Sequence, residues 1–252
     1  MNIIGPKHPM NILIPMAGRG SRFTEQGYTD SKPFIDVDGK PMIQRVIENL
    51  NIEFSADYKL ILICIREDYD KYDFNIFDGI IGHNKYDVVI LDEVTDGAAQ
   101  TVLMAKNLIN NNKPLLILNS DQMIEYNSRA TFNKFNKQDG GIPCFYGEGT
   151  DWSYAKVGDD GFVTEVAEKK QISNDATAGY YYWKRGSDFV KYAEQQIEHN
   201  DRTGINKEFY VAPVYNWAIK DGKKIVISIV DSTIELGTPE YLERYLNDTN
   251  IT

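Results

Sequence analysis

A loop at residues 15–23 carries residue types suited to binding phosphate. It has the sequence PMAGRGSRF and directly follows a short apolar run. Gly18 and Gly20 allow the backbone to approach a ligand closely and to turn successive N–H groups towards anionic oxygens. Arg22 would add a planar guanidinium group and Lys32 an ammonium group. The spacing matches neither the dinucleotide-binding fingerprint nor the P-loop, and a Gly-x-Gly alone is also compatible with a tight turn.

A candidate metal ligand follows the apolar run at 114–119. Asp121 comes just past this run, and open α/β sheets bind their ligands outside the carboxyl ends of their strands. Mg²⁺ prefers a carboxylate or two together with substrate phosphates and water. Asp121 is therefore a candidate magnesium ligand, although an aspartate that caps a helix or a turn would also fit this position.

These residues need elements that bring them to one edge of a sheet. Four apolar runs occur in the first half of the chain, at 11–15, 59–65, 87–91 and 114–119. Continuous runs of Ile, Leu and Val are typical of strands buried on both faces of a parallel sheet. Helical patterns lie between them, in MIQRVIENL after Pro41 and in AAQTVLMAKNLI. The alternation predicts an α/β protein with a Rossmann-like, doubly wound, mostly parallel or mixed sheet.

The second half of the chain predicts a small β-rich extension of this sheet. Short strand patterns occur in IPCFYG, YAKVG, FVTEVAE and AGYYYW, with a hairpin signal at 159–161. We expect helices at 187–199 and 212–221, then a strand in KIVISIV and a last helix at 239–247. Because no repeat or linker divides the sequence, we expect a single domain over 1–252.

The composition excludes several classes of protein. The 252 residues include 27 Lys+Arg and 37 Asp+Glu, a formal net charge of −10, whereas nucleic acids and anionic membranes are bound through clustered positive charge. No apolar run approaches the roughly 18 to 20 residues that span a bilayer, and residues 1–11 lack the apolar core and cleavage site of a secretory signal. With Cys64 and Cys144 in apolar runs, we expect buried thiols in a reducing cytoplasm.

The glycine loop and the residues after it resemble the signature of a known family. PMAGRGSRF...SKPFIDVDGKPMIQRVIENL is similar to the signature of the sugar-phosphate nucleotidylyltransferases, or nucleoside-diphosphate-sugar pyrophosphorylases. Further similar motifs follow in the family's order, at 96–100, 119–121, 168–170 and 235–238. Lys170 replaces the proline of the family's E-K-P element, and Glu235 replaces the aspartate of its D-x-G-T segment.

The resemblance implies a fold and a set of functional residues. The fold would be that of the nucleotide-diphospho-sugar transferases, similar to GT-A enzymes, with a nucleotide-binding half at about 11–125 and an acceptor-binding half at about 126–252. Nucleotide contacts would come from Met16, Ala17, Gly18, Gly20, Ser21, Asp92, Glu93 and Gly97, and catalytic cations from Arg22, Lys32 and Lys169. Acceptor contacts would come from Tyr154, Glu168, Lys169, Gly179 and Tyr180, and the Mg²⁺ ligands would be Asp121 and Glu235.

Simpler roles remain open for some of these residues. Without the resemblance, Lys169 would fit a solvated strand end and Glu235 a surface carboxylate before a helix. A tyrosine-rich strand such as GYYYW would equally fit the protein core.

The implied reaction joins an NTP to a phosphorylated acceptor and releases pyrophosphate. Because a phosphate monoester has its second pKa at about 6, the acceptor is an oxyanion at neutral pH and needs no general base. By the resemblance, Asp92 stands at a position where uridine- and thymidine-dependent members of the family carry glutamine. A carboxylate only accepts hydrogen bonds, so it suits the amino group of cytosine or of guanine. We therefore predict a preference for CTP, with a sugar 1-phosphate, phosphocholine or a phosphorylated glutamine as acceptor.

Two rival functions fit parts of the sequence. A nucleotide-sugar glycosyltransferase usually carries D-x-D at its metal, whereas Gln122 and Met123 follow Asp121. A nucleotide-binding regulatory module without turnover would not need both metal ligands. The extended C-terminal repeats of longer relatives are not found, so we expect no fused acyltransferase, and a homo-oligomer is compatible with the sequence.

Overall fold

The structure is a computed structural model that describes residues 10–50, 58–82, 85–204 and 207–249. Most of the segment on which the secretory-signal expectation rests, 1–9, lies outside the described residues. The strands are β1 Met10–Pro15, β2 Asp36–Val37, β3 Lys40–Pro41, β4 Tyr58–Ile65, β5 Tyr86–Leu91, β6 Leu115–Leu118, β7 Gln122–Glu125, β8 Gly140–Tyr146, β9 Ser153–Val157, β10 Val163–Glu168, β11 Asp175–Thr177, β12 Tyr180–Trp183, β13 Ile225–Ile229 and β14 Ser232–Glu235. The helices are α1 Ser21–Glu25, α2 Met42–Asn49, α3 Arg66–Lys71, α4 Ile76–Ile81, α5 Ala98–Leu103, α6 Lys106–Ile109, α7 Ser128–Phe135, α8 Gly186–Glu198, α9 Val214–Lys220 and α10 Pro239–Thr249, with a 3₁₀ turn at Lys32–Phe34.

A ten-stranded mixed sheet forms the centre of the protein. Its strands follow the order β10-β9-β11-β8-β12-β6-β1-β4-β5, with β13 paired to β8. Strands β6, β1, β4 and β5 run parallel to one another, and β12 joins them antiparallel to β6. The α/β class, the parallel first half and the β-rich extension are thereby confirmed.

The parallel strands form because both of their faces are apolar. Leu13 of β1 lies in one hydrophobic cluster and its neighbours Ile12 and Ile14 lie in another, as expected when successive side chains point to opposite faces of a sheet. All three side chains are 0% exposed. Helices that cover both faces leave only the strand ends and their loops open to substrates, which is where the polar motifs lie.

Several features differ from the sequence expectations. The helix expected in AAQTVLMAKNLI is divided into α5 and α6 at Met104 and Ala105. In addition, β7 and β14 form a separate antiparallel pair that the sequence analysis did not predict. Each of these strands has four residues, too few to show a clear period, and they lie far apart along the chain.

The cysteines are buried as expected. Cys64 and Cys144 are both free thiols with 0% exposure. Among the helices in the described ranges, none combines the length and the apolar character needed to cross a bilayer.

Candidate active site

The glycine loop lies at the carboxyl end of β1 and enters α1 through Gly20. Gly20 has a φ of +60°, which favours glycine, and a Cβ there would lie 3.0 Å from the Cβ of Lys32. A Cβ on Gly18 would meet no atom within 4 Å. No backbone acceptor in the described residues binds the N–H groups of residues 17–20, so the loop offers donors to an anion.

The other predicted loop contacts are placed differently from one another. Met16 lines the cleft, but its side chain is 1% exposed and packs in the core. The side chain of Ala17 is 3% exposed and also packs in the core. Ser21 is the first residue of α1. Met16 and Ala17 are therefore in a position to serve a ligand mainly through their backbone atoms.

Lys32 is positioned by contacts between the 3₁₀ turn and the region of α3. The preceding Ser31 donates its hydroxyl to the buried carboxylate of Asp68 and its N–H to the Tyr72 hydroxyl, at 2.9 Å. The ring of Phe34 stacks on Tyr72 with 3.9 Å between centroids. These contacts hold both ends of the turn and place the Lys32 ammonium group in an ion pair with Asp121.

Asp121 and Glu235 reach the same cleft through the β7–β14 pair. Gln122 lies opposite Glu235 in the strand register, and the N–H of Leu236 donates to the Asp121 carbonyl at 2.9 Å. The Gln122 side chain also donates to the Glu235 carboxylate. The unpredicted pair of strands therefore brings together the two predicted metal ligands, which are remote in sequence.

The carboxylate pair fits a divalent cation in its chemistry. Burial, together with the nearby charge of Asp121, raises the pKa of Glu235 to about 8, and a bound cation would stabilise the ionised pair. A Cβ on Gly237 would lie 2.8 Å from Oδ2 of Asp121, so this glycine leaves room for the carboxylate. No cluster of three or more His, Cys, Asp or Glu side chains suited to a metal occurs in the described residues.

Glu168 and Lys169 lie at the end of β10, in the wall formed by the β-rich extension. Ser153 donates its hydroxyl to Glu168, and burial raises the pKa of this carboxyl group. Lys169 has a φ of +53°, a conformation that is uncommon for a residue other than glycine and that clusters at functional sites. Its ammonium group lies 5.8 Å from the ring centroid of Tyr210.

Two adjoining cavities make up the cleft. The inner one, of about 330 Å³, is lined by residues that include Gly18, Gly20, Lys32, Asp121, Glu168 and Tyr210. The outer one, of about 780 Å³, is lined by residues that include Arg22, Lys32, Asp121, Lys169 and Glu235. The structure therefore brings all three predicted cations and both predicted metal ligands to one cleft.

Two of the predicted acceptor residues have side chains in the core, not in the cleft. Tyr154 and Tyr180 are 0% exposed; the Tyr154 hydroxyl donates to the Gly149 carbonyl at 3.0 Å, and the Tyr180 hydroxyl to Oδ1 of Asn49 at 3.3 Å. Because side chains alternate along a strand, Tyr181 lines the cleft instead. The expectation that the rings of Tyr154 and Tyr180 contact an acceptor is corrected accordingly.

The predicted glycines at 97 and 179 permit close packing behind the cleft. Gly97 has a φ of +129°, and a Cβ there would lie 2.6 Å from both N and O of Phe209. Gly179 has a φ of +70°, and a Cβ there would lie 1.6 Å from Oε1 of Gln122. Gly97 thus anchors the loop whose next residue, Ala98, lines the cleft, and Gly179 makes space for the side chain that holds Glu235.

Asp92 and Glu93 line a third cavity, of about 490 Å³, together with Gly18, Arg19 and Arg66. Nε of Arg66 lies 2.7 Å from Oδ1 of Asp92 in an ion pair. Arg66 was not predicted as a site residue from the sequence. Its position directly after β4, one strand away from the end of β5, is the signal that could have done so.

Trp152 and Tyr241 are further cleft residues that the sequence analysis missed. They line the outer cavity, and their ring centroids lie 5.9 Å apart. No local pattern links a residue of a loop before β9 with one on the last helix, so only the fold brings them together.

Comparison with known proteins identifies the family of the chain and agrees with its fold. A sequence profile described as Nucleotidyl transferase matches residues 12–211. This span is most of the chain, and the chain belongs to the nucleotidyl transferase family. The resemblance seen in the glycine loop is thereby confirmed at the level of the family.

The relatives known by sequence are longer proteins. The chain is similar to the bifunctional protein GlmU of Methanocaldococcus jannaschii, with 28% identity over 116 residues, 46% of this chain and 26% of that protein. It is also similar to GlmU of Methanococcus maripaludis, with 26% identity over 184 residues, 68% of this chain and 39% of that protein. The chain thus spans well under half the length of these relatives.

Solved structures share the fold over nearly the whole chain. A nucleoside-diphosphate-sugar pyrophosphorylase from Vibrio cholerae RC9 superposes with a TM-score of 0.81 and 24% identity, covering 94% of this chain and 99% of that one. A UDP-glucose pyrophosphorylase complexed with UDP-glucose superposes with a TM-score of 0.77 and 17% identity, covering 97% and 99% of the two chains. At these identities the likeness establishes the nucleotide-diphospho-sugar transferase-like fold.

Proposed function

We propose that the chain is a Mg²⁺-dependent nucleotidylyltransferase, which transfers NMP from an NTP to a sugar 1-phosphate or a similar small phosphorylated acceptor. The products would be pyrophosphate and a nucleotide-activated sugar for the synthesis of polysaccharide precursors. The observation that carries this proposal is the meeting of the glycine loop, Lys32, Asp121 and Glu235 in one cleft. Membership of the nucleotidyl transferase family supports the same class of reaction.

The chain's own residues would act mainly by binding and orienting two anions. The N–H groups of the glycine loop, with Lys32 and Arg22, would hold the triphosphate, and Lys169 would hold the acceptor phosphate. Like charges repel, so placing an attacking oxygen in line with the α-phosphate is the main task, as in other phosphoryl transfers. The acceptor phosphate is already ionised at neutral pH, so no side chain is required as a base.

Asp121 and Glu235 are the residues that would hold Mg²⁺. When bound, the ion would neutralise charge on the α-phosphate and on the leaving pyrophosphate. Without nucleotide, Lys32 forms an ion pair with Asp121. We propose that Lys32 changes partner, from Asp121 to the triphosphate, as the nucleotide binds. Gln122, which donates to Glu235, would fix the second carboxylate in place.

The wall of the cleft formed by the β-rich extension, the acceptor wall, has the chemistry of a carbohydrate site. It includes the partly buried carboxyl group of Glu168 and the hydroxyl groups of Ser153, Thr177 and Tyr181. Such groups can bind sugar hydroxyl groups. One of the structurally similar proteins is complexed with UDP-glucose. These points favour a sugar phosphate over phosphocholine or a phosphorylated glutamine.

Of the four nucleotides, we propose CTP as the donor. Asp92 follows β5 and lines the cavity that adjoins the cleft at Gly18. Its carboxylate accepts hydrogen bonds and cannot donate them, which suits the amino group of cytosine.

Release of pyrophosphate tests the proposal. Four NTPs would each be offered, with Mg²⁺, a panel of sugar 1-phosphates, phosphocholine and phosphorylated glutamine. We expect catalytic release of pyrophosphate for one pair, at least 100-fold slower in Asp121→Ala. A single stoichiometric release would indicate a binding module, and hydrolysis of an NDP-sugar without pyrophosphate would indicate a glycosyltransferase; either result would contradict the proposal.

A further inference from the structure

The ion pair between Arg66 and Asp92 lies at the carboxyl ends of two adjacent parallel strands. Arg66 begins α3 directly after β4, and Asp92 follows β5. The pair is solvent-accessible, with 54% of the Arg66 side chain and 78% of the Asp92 side chain exposed. An exposed ion pair contributes little to stability, and both side chains are accessible to a ligand.

The cavity at this pair is where the base of a bound nucleotide would extend. Gly18 lines both this cavity and the inner cavity of the cleft. With the triphosphate on the glycine loop, one direction leads to Asp121 and the acceptor wall, where the reaction would occur. The other direction leads to the cavity of about 490 Å³ that contains Arg66 and Asp92, which has room for a nucleobase and lies in the crevice where open α/β sheets bind nucleotides.

We infer, on the basis of the proposed function, that Arg66 and Asp92 together recognise the hydrogen-bonding edge of cytosine. That edge presents an amino donor, a ring nitrogen acceptor and a carbonyl acceptor. The pair presents the complement: Nε of Arg66 is bonded to Oδ1 of Asp92, while Oδ2 of Asp92 accepts no hydrogen bond from the described residues, and the terminal nitrogens of Arg66 are donors. Oδ2 therefore accepts from the amino group, and the guanidinium group donates to the ring nitrogen and the carbonyl oxygen.

The pairing distinguishes cytosine from the other bases. Guanine presents two adjacent donors, which need both oxygens of a carboxylate, but Oδ1 of Asp92 is already used by Arg66. Uracil presents a carbonyl group where cytosine has its amino group, and this oxygen would face Oδ2 of Asp92 with no proton between them. Adenine has the amino group and a ring nitrogen acceptor but lacks the carbonyl oxygen that the second terminal nitrogen of Arg66 would bind.

Calorimetric binding of each Mg²⁺–NTP tests the inference without an acceptor. We expect the wild-type protein to bind CTP at least 10-fold more tightly than UTP, GTP or ATP. Asp92→Asn replaces one carboxylate oxygen with a donor, so CTP should weaken and UTP improve, reducing the CTP/UTP preference at least 10-fold. Arg66→Gln should weaken CTP about 10-fold. Circular dichroism of each variant checks that it is folded.

The pair Lys59–Asp87 provides a matched control. It also joins β4 to β5 by an exposed ion pair of 2.7 Å, but it lies near the amino ends of the two strands, so Asp87→Asn should leave every affinity within twofold. Equal binding of CTP and UTP, tighter binding of ATP or GTP, or the same change in Asp87→Asn as in Asp92→Asn would overturn the inference. Absence of pyrophosphate with every acceptor, together with a CTP preference that depends on Asp92, would instead contradict only the proposed transfer reaction.

Discussion

The ammonium group of Lys32 and the carboxylate of Asp121 form an ion pair across the cleft, joining the 3₁₀ turn to the end of β6. Asp121 also faces Glu235, whose pKa it helps to raise. Lys32 is thus the cation next to Asp121, and its charge also favours the ionised form of Glu235. Both members of the ion pair are needed for the proposed reaction, but their removal should have different effects on the fold.

Lys32→Met and Asp121→Asn should therefore differ in stability although both lose activity. Lys32→Met removes the cation from Asp121 and would raise the pKa of Glu235 further, which we expect to lower the free energy of unfolding by about 1 kcal/mol. Asp121→Asn removes the repulsion on Glu235, so stability should stay the same or rise. Both should reduce kcat by about 10²- to 10³-fold, as loss of a group that stabilises developing charge does. Urea unfolding measures the effect on stability, and pyrophosphate release measures the effect on activity. Lys40→Met, which removes the exposed Lys40–Glu48 pair, is the control. Equal destabilisation by Lys32→Met and Asp121→Asn would contradict the prediction.

Gly18→Ala should block the nucleotide without disturbing the fold. A Cβ at this position meets no protein atom within 4 Å and lies in the cleft, so the added methyl group would occupy space proposed for the triphosphate. We expect nucleotide affinity to fall at least 10-fold. The Tm should change by less than about 2 °C, because the added methyl group clashes with no protein atom and leaves no cavity. Gly79→Ala, where a Cβ also meets nothing within 4 Å, is the matched control. Unchanged nucleotide affinity in Gly18→Ala would show that the loop is not the phosphate site.

Gly237→Ala should displace Asp121. The new Cβ would lie 2.8 Å from Oδ2 of Asp121, and the carboxylate, as the end of a flexible side chain, would have to move. A misplacement of about 1 Å at a catalytic site can reduce turnover about 100-fold, and the fold should remain because the new Cβ clashes with neither backbone nor core atoms. Isothermal titration with Mg²⁺ and NTP, beside steady-state kinetics, should show both metal-dependent binding and kcat reduced; normal kcat would indicate that the position of Asp121 is unimportant.

A comparison of Tyr180→Phe with Tyr181→Phe tests which tyrosine serves the acceptor. The Tyr180 hydroxyl is buried against Asn49, so its loss should cost about 1 kcal/mol of stability and leave the acceptor KM unchanged. The Tyr181 hydroxyl lies 3.2 Å from that of Thr177 in the cleft wall, so its loss should raise the acceptor KM several-fold. A raised KM in Tyr180→Phe alone would restore the assignment that the structure corrects.

The fold was predictable where burial leaves a continuous pattern in the sequence. The four parallel strands were predicted from their apolar runs, which are typical of strands buried on both faces of a sheet, although the edge strand β5 is only partly buried. The β7–β14 pair was not, because it forms between segments of four residues whose pairing depends on the rest of the fold. For the same reason, Gln122 could not be linked from the sequence to Glu235, which lies 113 residues away.

The sequence predicted which residue types form the site better than it predicted where their side chains point. In the glycine loop the backbone conformation at Gly20 favours glycine, so the sequence alone indicates the role of the loop. A run of three tyrosines does not show which side chain reaches the cleft: Tyr180 and Tyr182 lie in one core cluster, whereas Tyr181 lies in the other, on the opposite face, and lines the cleft. Register decides this, and a one-residue shift exchanges the faces. Arg66 was missed because a single arginine after a strand has no pattern of its own.

The Cys64 thiol should be unreactive in the native protein and should make stability depend on alkaline pH. Burial, with Asp68 nearby, raises its pKa to about 12, and only the thiolate reacts with disulfide reagents. Below about pH 8.5 the thiol is neutral in both folded and unfolded chains. Between that pH and about 12 the unfolded thiol ionises and the folded one does not, so stability falls as the pH rises, by up to about 1.4 kcal/mol per pH unit.

We expect the free energy of unfolding of Cys64→Ala to fall less steeply between pH 8.5 and 10.5 than that of the wild type. At pH 8, a thiol reagent should label the native wild type far more slowly than the urea-unfolded chain. Rapid labelling of the native protein, traced to Cys64 by mass spectrometry, would mean that β4 opens to solvent and that the sheet beneath the site is less rigid than its burial implies.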